Sequence, residues 1–261
     1  MAVELPYELR KSERTATELI DQFGIQSPED IRLEDIAYAL GIRVIVSKLE
    51  KAAARLVRYA DHAVVRISDQ ERNEGRMRFS LAHEIGHFLL HEKSGPLHQC
   101  TEQDMLTWES NVNPEVEANV FASELLMPSQ MIIPYSQVSP VDLSRAQKIC
   151  DDFSVSLTAA CVRFVRFSSE MCAVVFSQQG LVKWWKGSEE FWPFINVRKP
   201  LDPETLAYDF FTKGKTYKNA EGVAPEAWLD SDRLGDIDEV IEHSFGSARL
   251  GFTLSLLWIE S

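Results

Sequence analysis

Apolar residues recur at helical spacing through the first forty positions of the chain. Within residues 10–23 they lie three or four positions apart and the pattern stops at Gly24, which predicts a helix. The segment Ser27-Pro28 is typical of a helix start, so a second helix is predicted there, ending at Gly41. Its buried stripe would consist of the apolar residues spaced i, i+3, i+4 and i+7: Leu33, Ile36, Ala37 and Leu40.

Three short segments that follow are rich in Val, Ile, Leu and Arg: residues 42–47, 54–59 and 62–68. Such composition is typical of strands, and the two residues Ala60-Asp61 between the last two segments indicate a hairpin. We therefore expect a small antiparallel sheet, with the next helix packed on it. His62 lies on this hairpin and is expected to face solvent.

The stretch FSLAHEIGHFLLH, residues 79–91, combines helical spacing with apolar residues on most of its circumference. A helix of this kind is buried, so polar side chains that face inward need partners. Gly86 costs about 0.8 to 1 kcal/mol relative to Ala inside a helix, and its presence predicts a close approach by another segment of backbone.

Two histidines and a glutamate in this stretch form the pattern His83-Glu84-Ile85-Gly86-His87. Residues four apart lie above one another on a helix, so His83 and His87 can direct two imidazoles at one metal ion. Glu84 lies at the edge of the same face, where its carboxylate can act on a metal-activated water without binding the metal. The alternative is a chance pattern of buried core histidines, which the buried flanks disfavour.

A loop and then another helix are predicted downstream. Residues 92–113 contain Gly95, Pro96 and many polar residues and are expected to form a loop over the metal-site helix, with His98 at its surface. Asn113 suits the N-cap and Pro114 the first turn of the next helix, which Pro128 ends.

Glu115 is the candidate third ligand. It shares a face of its helix with small and apolar residues, so it is predicted to point inward, whereas Glu117 is predicted to lie on another side. Two alternatives exist: Glu115 could be an exposed first-turn residue stabilised by the helix dipole, and His91 could be the third ligand, although each step of four residues drifts by about 40°. Asn119, one turn on, can hold a ligating histidine by its second nitrogen.

Composition and charge narrow the class of protein. The net charge is −13, the isoelectric point is about 5.0, and no long basic run occurs, so binding to nucleic acid is disfavoured. No signal-peptide pattern or membrane-spanning apolar stretch is recognisable. The four cysteines show no paired spacing. We expect a cytoplasmic protein with reduced thiols and no membrane association.

Two segments together resemble the ImmA/IrrE family of bacterial metallopeptidases. They are RFSLAHEIGHFLLHE at residues 78–92 and PEVEANVFASELLMP at residues 114–128, and the preceding DIRLEDIAYALGIRVIV at residues 30–46 fits the same family. The resemblance implies a reduced zincin-like α+β domain. It also implies a metal, Zn²⁺ or alternatively Mn²⁺, on His83, His87 and Glu115, with Glu84 as catalytic base.

The substrate that this resemblance implies is a protein. Members of the family typically cleave a repressor that contains a helix-turn-helix domain, which relieves repression during stress or during induction of a mobile element. The extended metzincin pattern is absent, because Leu90 and Lys93 stand where Gly and His would be needed.

Beyond residue 136 the pattern changes. Residues 141–153 and 156–167 predict two helices joined by Ser154-Val155, a shape similar to a helix-turn-helix. Such a pair could read DNA, with positive charge from Arg145, Lys148, Arg163 and Arg166, but nearby aspartates offset that charge. Packing or substrate docking is favoured because the shape is also that of a common αα-hairpin.

The C-terminal third predicts a sheet. A hairpin is expected around Gln178-Gln179-Gly180, an aromatic cluster at residues 184–194, and a central strand at residues 252–259. Residues 201–242 suggest no chemistry.

The predicted fold class is therefore α+β, in three parts. Residues 1–136 would form the zincin-like peptidase domain, residues 137–168 the helix-turn-helix-like pair, and residues 169–261 a C-terminal α+β domain to which the sequence assigns no definite role, with sensing and substrate docking as the candidates. The predicted function is zinc-dependent endoproteolysis of a repressor. The alternative is a metal-containing transcription regulator that binds DNA or a repressor through residues 141–167 without proteolysis.

Overall fold

A computed structural model describes residues 6–49, 52–59, 62–71, 73–91, 97–100, 112–230 and 234–260, with the backbone alone for 97–100. The chain is α+β, as predicted, and divides into two compact units. The first contains Met1–Met131 and Cys150–Ser156, and the second contains Ile132–Ile149 and Leu157–Ser261. The three-part division suggested by the sequence stays a prediction.

The first half of the chain supplies four helices and four strands within the described residues. In chain order they are α1 Tyr7–Gln22, α2 Leu33–Ala39, β1 Ile42–Ser47, β2 Ala54–Arg58, β3 Ala63–Ser68, α3 Glu74–Leu90, β4 Leu97–Cys100 and α4 Pro114–Leu126. Ser27 does not begin α2 but caps a short 3₁₀ helix, Pro28–Asp30, through reciprocal side-chain and backbone hydrogen bonds with Asp30.

The four strands form one sheet in the order β1-β3-β2-β4. The hairpin of β2 and β3 is antiparallel as predicted, with Leu56 opposite Val65. The expectation of an all-antiparallel sheet was wrong, because β1 pairs parallel to β3, with Val44 opposite Val65. Since β1 and β3 are not consecutive strands, no turn fixes their relative direction, and β2 reaches the other edge of β3 instead.

Part of the predicted loop at residues 92–113 is a strand. Backbone pairing of β4 with β2 places Leu56 opposite His98, at the edge of the sheet. The prediction was wrong here because Gly95 and Pro96 indicate a break, and an edge strand as short as this one leaves little hydrophobic pattern. Residues 92–96 and 101–111 lie outside the described residues.

The remaining elements are α5 Ser129–Ser136, α6 Leu143–Phe153, α7 Leu157–Phe167, β5 Met171–Gln178, β6 Leu181–Gly187, α8 Leu206–Lys213, β7 Glu221–Val223, α9 Pro225–Trp228, β8 Val240–Ser247 and β9 Phe252–Ile259. The two predicted helices α6 and α7 are present. So is the predicted hairpin of β5 and β6, whose turn residues Gln179 and Gly180 both have positive φ, 55° and 73°.

The second sheet is antiparallel, in the order β6-β5-β9-β8-β7. Strand β9 is central, as predicted, because it pairs with both β5 and β8. Helix α7 packs against β5 and β6. The core of this unit is a cluster of buried residues around Val175, Leu257 and Trp228.

The buried carboxylate of Glu242 on β8 is hydrogen-bonded to α8 and α9, the two helices that precede β8 in the chain. Glu242 on β8 is fully buried and accepts hydrogen bonds from the backbone N–H groups of Leu206 and Ala207, at 3.0 and 2.9 Å. It also accepts from the indole of Trp228 at 2.8 Å and from the hydroxyl of Ser244. Burial raises the pKa of the Glu242 carboxyl, and these donors oppose that effect. Residues 201–242, to which the sequence suggested no chemistry, therefore contain a buried carboxylate whose hydrogen bonds have a structural role.

Candidate metal centre

Helix α3 carries both motif histidines in its interior. Asn73 caps its first turn by accepting from the backbone N–H of Arg76 at 3.0 Å, and seventeen residues follow. Every residue from Ser80 to His87 is buried. The predicted buried helix is therefore present, and its histidines lie where polar groups require partners.

Helix α4 supplies those partners. Asn113 caps it, accepting from the N–H of Val116 at 3.0 Å, Pro114 occupies its first turn, and Met127 ends it before Pro128. Helix α4 packs on both α3 and α1. The N-cap and the proline stop are therefore where the sequence placed them.

Gly86 permits the close contact between the two helices. A Cβ atom at Gly86 would lie 2.9 Å from Cδ1 of Phe121 and 3.3 Å from Cα of Ala118, both on α4. The predicted close approach of backbone is therefore confirmed. A larger residue at 86 would separate the histidines of α3 from the polar residues of α4.

Three potential ligand atoms converge between α3 and α4. The Nε2 atoms of His83 and His87 lie 2.9 Å apart, and Oε2 of Glu115 lies 3.2 Å from the first and 3.4 Å from the second. Both histidines are buried, and the Glu115 side chain is 25% exposed. Within the described part of the chain, these three residues form the group of His, Cys, Asp or Glu that could hold a metal ion.

The spacing of these atoms fits a metal of zinc size. Ligand atoms at about 2.0 to 2.2 Å from an ion, set at tetrahedral angles, are roughly 3.3 to 3.6 Å apart. The observed separations of 2.9 to 3.4 Å approach that value. The donor set, two imidazoles and one carboxylate, is also one that zinc accepts in catalytic sites.

Asn119 orients the first histidine. Its Oδ1 lies 2.9 Å from Nδ1 of His83, and both side chains are buried. An amide oxygen can only accept, so Nδ1 of His83 carries the proton and Nε2 presents its lone pair toward Glu115. That tautomer is the one a metal ligand requires.

Arg58 on β2 fixes the C-terminal end of α3. Its Nη2 donates to the carbonyl oxygens of His87 and Phe88, at 2.6 and 2.9 Å, and its guanidinium lies over the Phe88 ring at 4.8 Å. A cation near the last carbonyl groups of a helix is also stabilised by the helix dipole. The sheet thus holds the turn of α3 that carries His87.

Sequence reasoning considered His91 only as an alternative third ligand and gave Glu117 no role, but the structure brings both residues next to the site. Nδ1 of His91 lies 2.9 Å from Nδ1 of His87, and Nε2 of His91 lies 3.3 Å from Oε2 of Glu117. Glu117, predicted to lie on another side of its helix, therefore reaches the neighbourhood of the site. The four-residue spacing of His87 and His91 also permits a contact between their side chains, which is the arrangement that the structure has.

Glu84 is fully buried in α3, next in sequence to His83. His62 is exposed and stacks on Tyr59, with 4.6 Å between ring centroids. His98 lies on the edge strand β4.

Comparisons with known proteins give a family and a fold to which this chain is similar. The family model of Peptidase M78, described as an IrrE N-terminal-like domain, matches residues 37–165. A Mycobacterium tuberculosis transcriptional regulator of known structure is similar in fold, with a TM-score of 0.60 and 16% identity over 96% of this chain and 76% of that one. A search of curated proteins gave no match. Among the helices of the described residues, none has the length and apolarity to cross a bilayer.

Proposed function

Because this chain belongs to the ImmA/IrrE family, we propose that it is a zinc-dependent endopeptidase that cuts a helix-turn-helix transcriptional repressor. The observation that carries the proposal is the convergence of His83, His87 and Glu115 between α3 and α4. These three residues would hold the zinc and would leave a position for water or substrate, as catalytic rather than structural zinc sites do.

The chemistry follows from the donor set and from Glu84. When bound, zinc supplies Lewis acidity, which polarises a carbonyl and lowers the pKa of a coordinated water to about 7. In our proposal the carboxylate of Glu84 takes a proton from the attacking water. The water oxygen bonds to the scissile carbonyl carbon, the C–N bond breaks, and Glu84 passes the proton to the leaving amine nitrogen.

The surroundings of the site support a catalytic use of these residues. Asn119 sets the tautomer of His83, and Arg58 holds the backbone at His87. Fixed ligands keep an open metal position in one geometry, which favours chemistry at that position over rearrangement of the ligands. Glu115 is partly exposed, so one side of the ligand group is accessible from solvent.

DNA reading through the helical pair is disfavoured by burial. A recognition helix must present side chains to a groove, yet α7 is buried from Ala159 to Val165, and Arg163 is 1% exposed. Four basic residues of the helical pair could contact phosphate: Arg145, Lys148, Arg163 and Arg166. One of them is therefore buried, and the chain carries a net charge of −13. Proteolysis therefore explains more of the structure than a regulator that reads DNA through this pair.

The proposed setting is the cytoplasm, where repressors act. We retain residues 1–136 as the proposed catalytic domain, residues 137–168 as a helix-turn-helix-like segment, and residues 169–261 as a proposed region for docking or sensing. If the last region docks the repressor, substitutions of its exposed residues should raise KM and leave kcat unchanged. An unchanged KM across such a set would remove the docking role.

The test of the proposed function is cleavage by the purified full chain. The protein is prepared with zinc and, separately, with manganese, and is incubated with helix-turn-helix repressors encoded near its own gene. We expect one discrete cut in one repressor, abolished by a chelator and restored by added zinc. Metal-loaded protein that leaves every such repressor intact would contradict the proposal.

A further inference from the structure

His91 lies directly behind one of the metal-site histidines. Nε2 of His87 faces Nε2 of His83 and Oε2 of Glu115, whereas Nδ1 of His87 faces Nδ1 of His91 at 2.9 Å. The two nitrogens of an imidazole point away from one another across the ring. His91 therefore contacts the side of His87 that is turned away from the ligand group, and it is placed to orient His87 rather than to bind the ion.

Glu117 is the partner of His91 on α4. Its Oε2 lies 3.3 Å from Nε2 of His91, and the side chains are 17% and 9% exposed. A surface ion pair in open water is worth little, but this contact is mostly removed from water and links two helices. Burial of both groups makes the hydrogen bond directional and costly to lose.

One assignment of protons satisfies the whole chain of contacts. A carboxylate only accepts hydrogen bonds, so Nε2 of His91 carries a proton and donates a hydrogen bond to Glu117. The other nitrogen of a neutral His91 is then an acceptor, and it receives the Nδ1–H of His87. That leaves the Nε2 lone pair of His87 directed at His83 and Glu115, which is the tautomer required of a metal ligand.

We propose that His91 and Glu117 are positioning residues of the metal centre, acting through His87. The proposal rests on the proposed function only for the metal site, not for the cleavage. His83 is held at Nδ1 by Asn119, and His87 is held at Nδ1 by His91 and, through it, by Glu117. Helix α4 thus provides one ligand and orients both histidines of α3.

Metal affinity and the spectrum of the bound metal test the proposal without reference to proteolysis. The full chain is loaded with Zn²⁺ in competition with a chelator and, separately, with Co²⁺ for visible absorption. Loss of a side chain that hydrogen-bonds a metal ligand lowers metal affinity by about 10- to 100-fold. We expect His91→Leu and Glu117→Leu to weaken zinc binding by about tenfold or more and to alter the Co²⁺ bands, whereas His91→Gln, which keeps a donor and an acceptor, recovers much of the wild-type affinity and spectrum.

Glu124→Leu is the matched control for Glu117→Leu. Glu124 lies two turns further along α4, about 10 Å from Glu117 along the helix axis, and accepts from the N–H and hydroxyl of Ser129. The control variant should lose thermal stability and keep the zinc affinity and Co²⁺ spectrum of the wild type. Thermal melting of each metal-free variant shows whether it folds, and Glu117→Ala, which also removes the acceptor, replaces a leucine variant that does not fold.

The outcomes separate this role from the proposed function. Folded His91→Leu and Glu117→Leu (or Glu117→Ala) variants with wild-type zinc affinity and unchanged Co²⁺ bands would overturn the positioning role. If His91 instead bound the ion directly, His91→Leu would weaken binding while Glu117→Leu and Glu117→Ala left the spectrum unchanged, and that result would overturn it too. Wild-type protein that binds zinc, with variants that bind as expected, supports the role even if no repressor is cut.

Discussion

The guanidinium of Arg58 lies 2.6 Å from the carbonyl oxygen of His87, which joins strand β2 to the end of the helix that carries both histidines of the candidate metal centre. The same nitrogen reaches the carbonyl of Phe88. The N–H of His91 already donates to the carbonyl of His87 at 3.1 Å, so Arg58 adds a second donor there and also supplies one to the carbonyl of Phe88 in the last turn of the helix. The sheet therefore sets the position of the second histidine relative to the first.

Replacing Arg58 should loosen this end of α3. Arg58→Met removes two charge-assisted hydrogen bonds, each worth about 1.5 to 3 kcal/mol, and leaves the carbonyl groups of His87 and Phe88 without this donor. We expect a loss of at least about 2 kcal/mol in the free energy of unfolding, measured by urea titration. Arg66→Met, an exposed arginine on the adjacent β3, should change it by less than about 0.5 kcal/mol. Equal effects of the two substitutions would contradict the role given to Arg58.

Asn119 should control zinc affinity through His83. Asn119→Leu removes the acceptor at 2.9 Å from Nδ1 of His83, so the favoured tautomer and ring orientation are lost. We expect zinc affinity, measured by chelator competition, to fall by about 10- to 100-fold. Asn119→Asp keeps an acceptor at the same place and should stay closer to the wild type than Asn119→Leu. A leucine variant as tight as the wild type would show that the contact does not orient His83.

The local sequence pattern was sufficient to predict α3 and α4, the two helices that carry the residues of the candidate site. The N-cap Asn113, the stop at Pro128 and the burial around His83 depend on residues close together in sequence, and the structure has each of them. Gly86 indicated a close contact, although its partners Phe121 and Ala118 could only be seen in three dimensions.

The angle at which two helices cross could not be obtained from the sequence. Glu117 was assigned to another side of α4 because it lies about 200° from Glu115, yet its long side chain reaches His91. Helix α4 is packed against both α1 and α3, so residues on several of its sides are enclosed. The parallel pairing of β1 and the edge strand β4 depend on backbone pairing between distant segments, which leaves no periodic signal in either.

Glu242 should be among the most stability-sensitive residues of the second unit. Glu242→Leu keeps a similar volume but leaves the N–H groups of Leu206 and Ala207 and the Trp228 indole without their acceptor, at about 1 to 3 kcal/mol each. We expect unfolding free energy to fall by at least about 3 kcal/mol in chemical denaturation. The exposed Glu226→Leu is the control and should be nearly neutral. A Glu242→Leu protein as stable as that control would refute the structural role of the hydrogen bonds that Glu242 accepts.

The second unit should lose stability at mildly acid pH through His243. Nδ1 of His243 accepts from the N–H of Leu143, and burial lowers the pKa of His243, an effect that the charge of Asp142 and a hydrogen bond to the backbone of Lys218 oppose. The folded-state pKa lies below the value of 6.5 for the unfolded chain, so the unfolded state binds more protons between the two values. The contribution of neutral His243 to the free energy of unfolding is complete above about pH 6.5 and is lost as pH falls toward the lowered pKa.

Denaturant titrations at several pH values check this prediction. The free energy of unfolding of the wild type should decrease below about pH 6.5, and His243→Gln should show a smaller decrease over the same range. If both proteins had the same pH dependence, proton binding by His243 would not contribute to it.

The most direct test of the central claim is the effect of Glu84→Gln on metal content and on repressor cleavage, measured in one preparation. Glutamine preserves the shape of the side chain and cannot take the proton from water. We therefore expect metal content equal to that of the wild type and turnover reduced by roughly 10²-fold or more. A fully metal-loaded Glu84→Gln protein that cuts its repressor at the wild-type rate would remove Glu84 from the reaction and contradict the proposed mechanism.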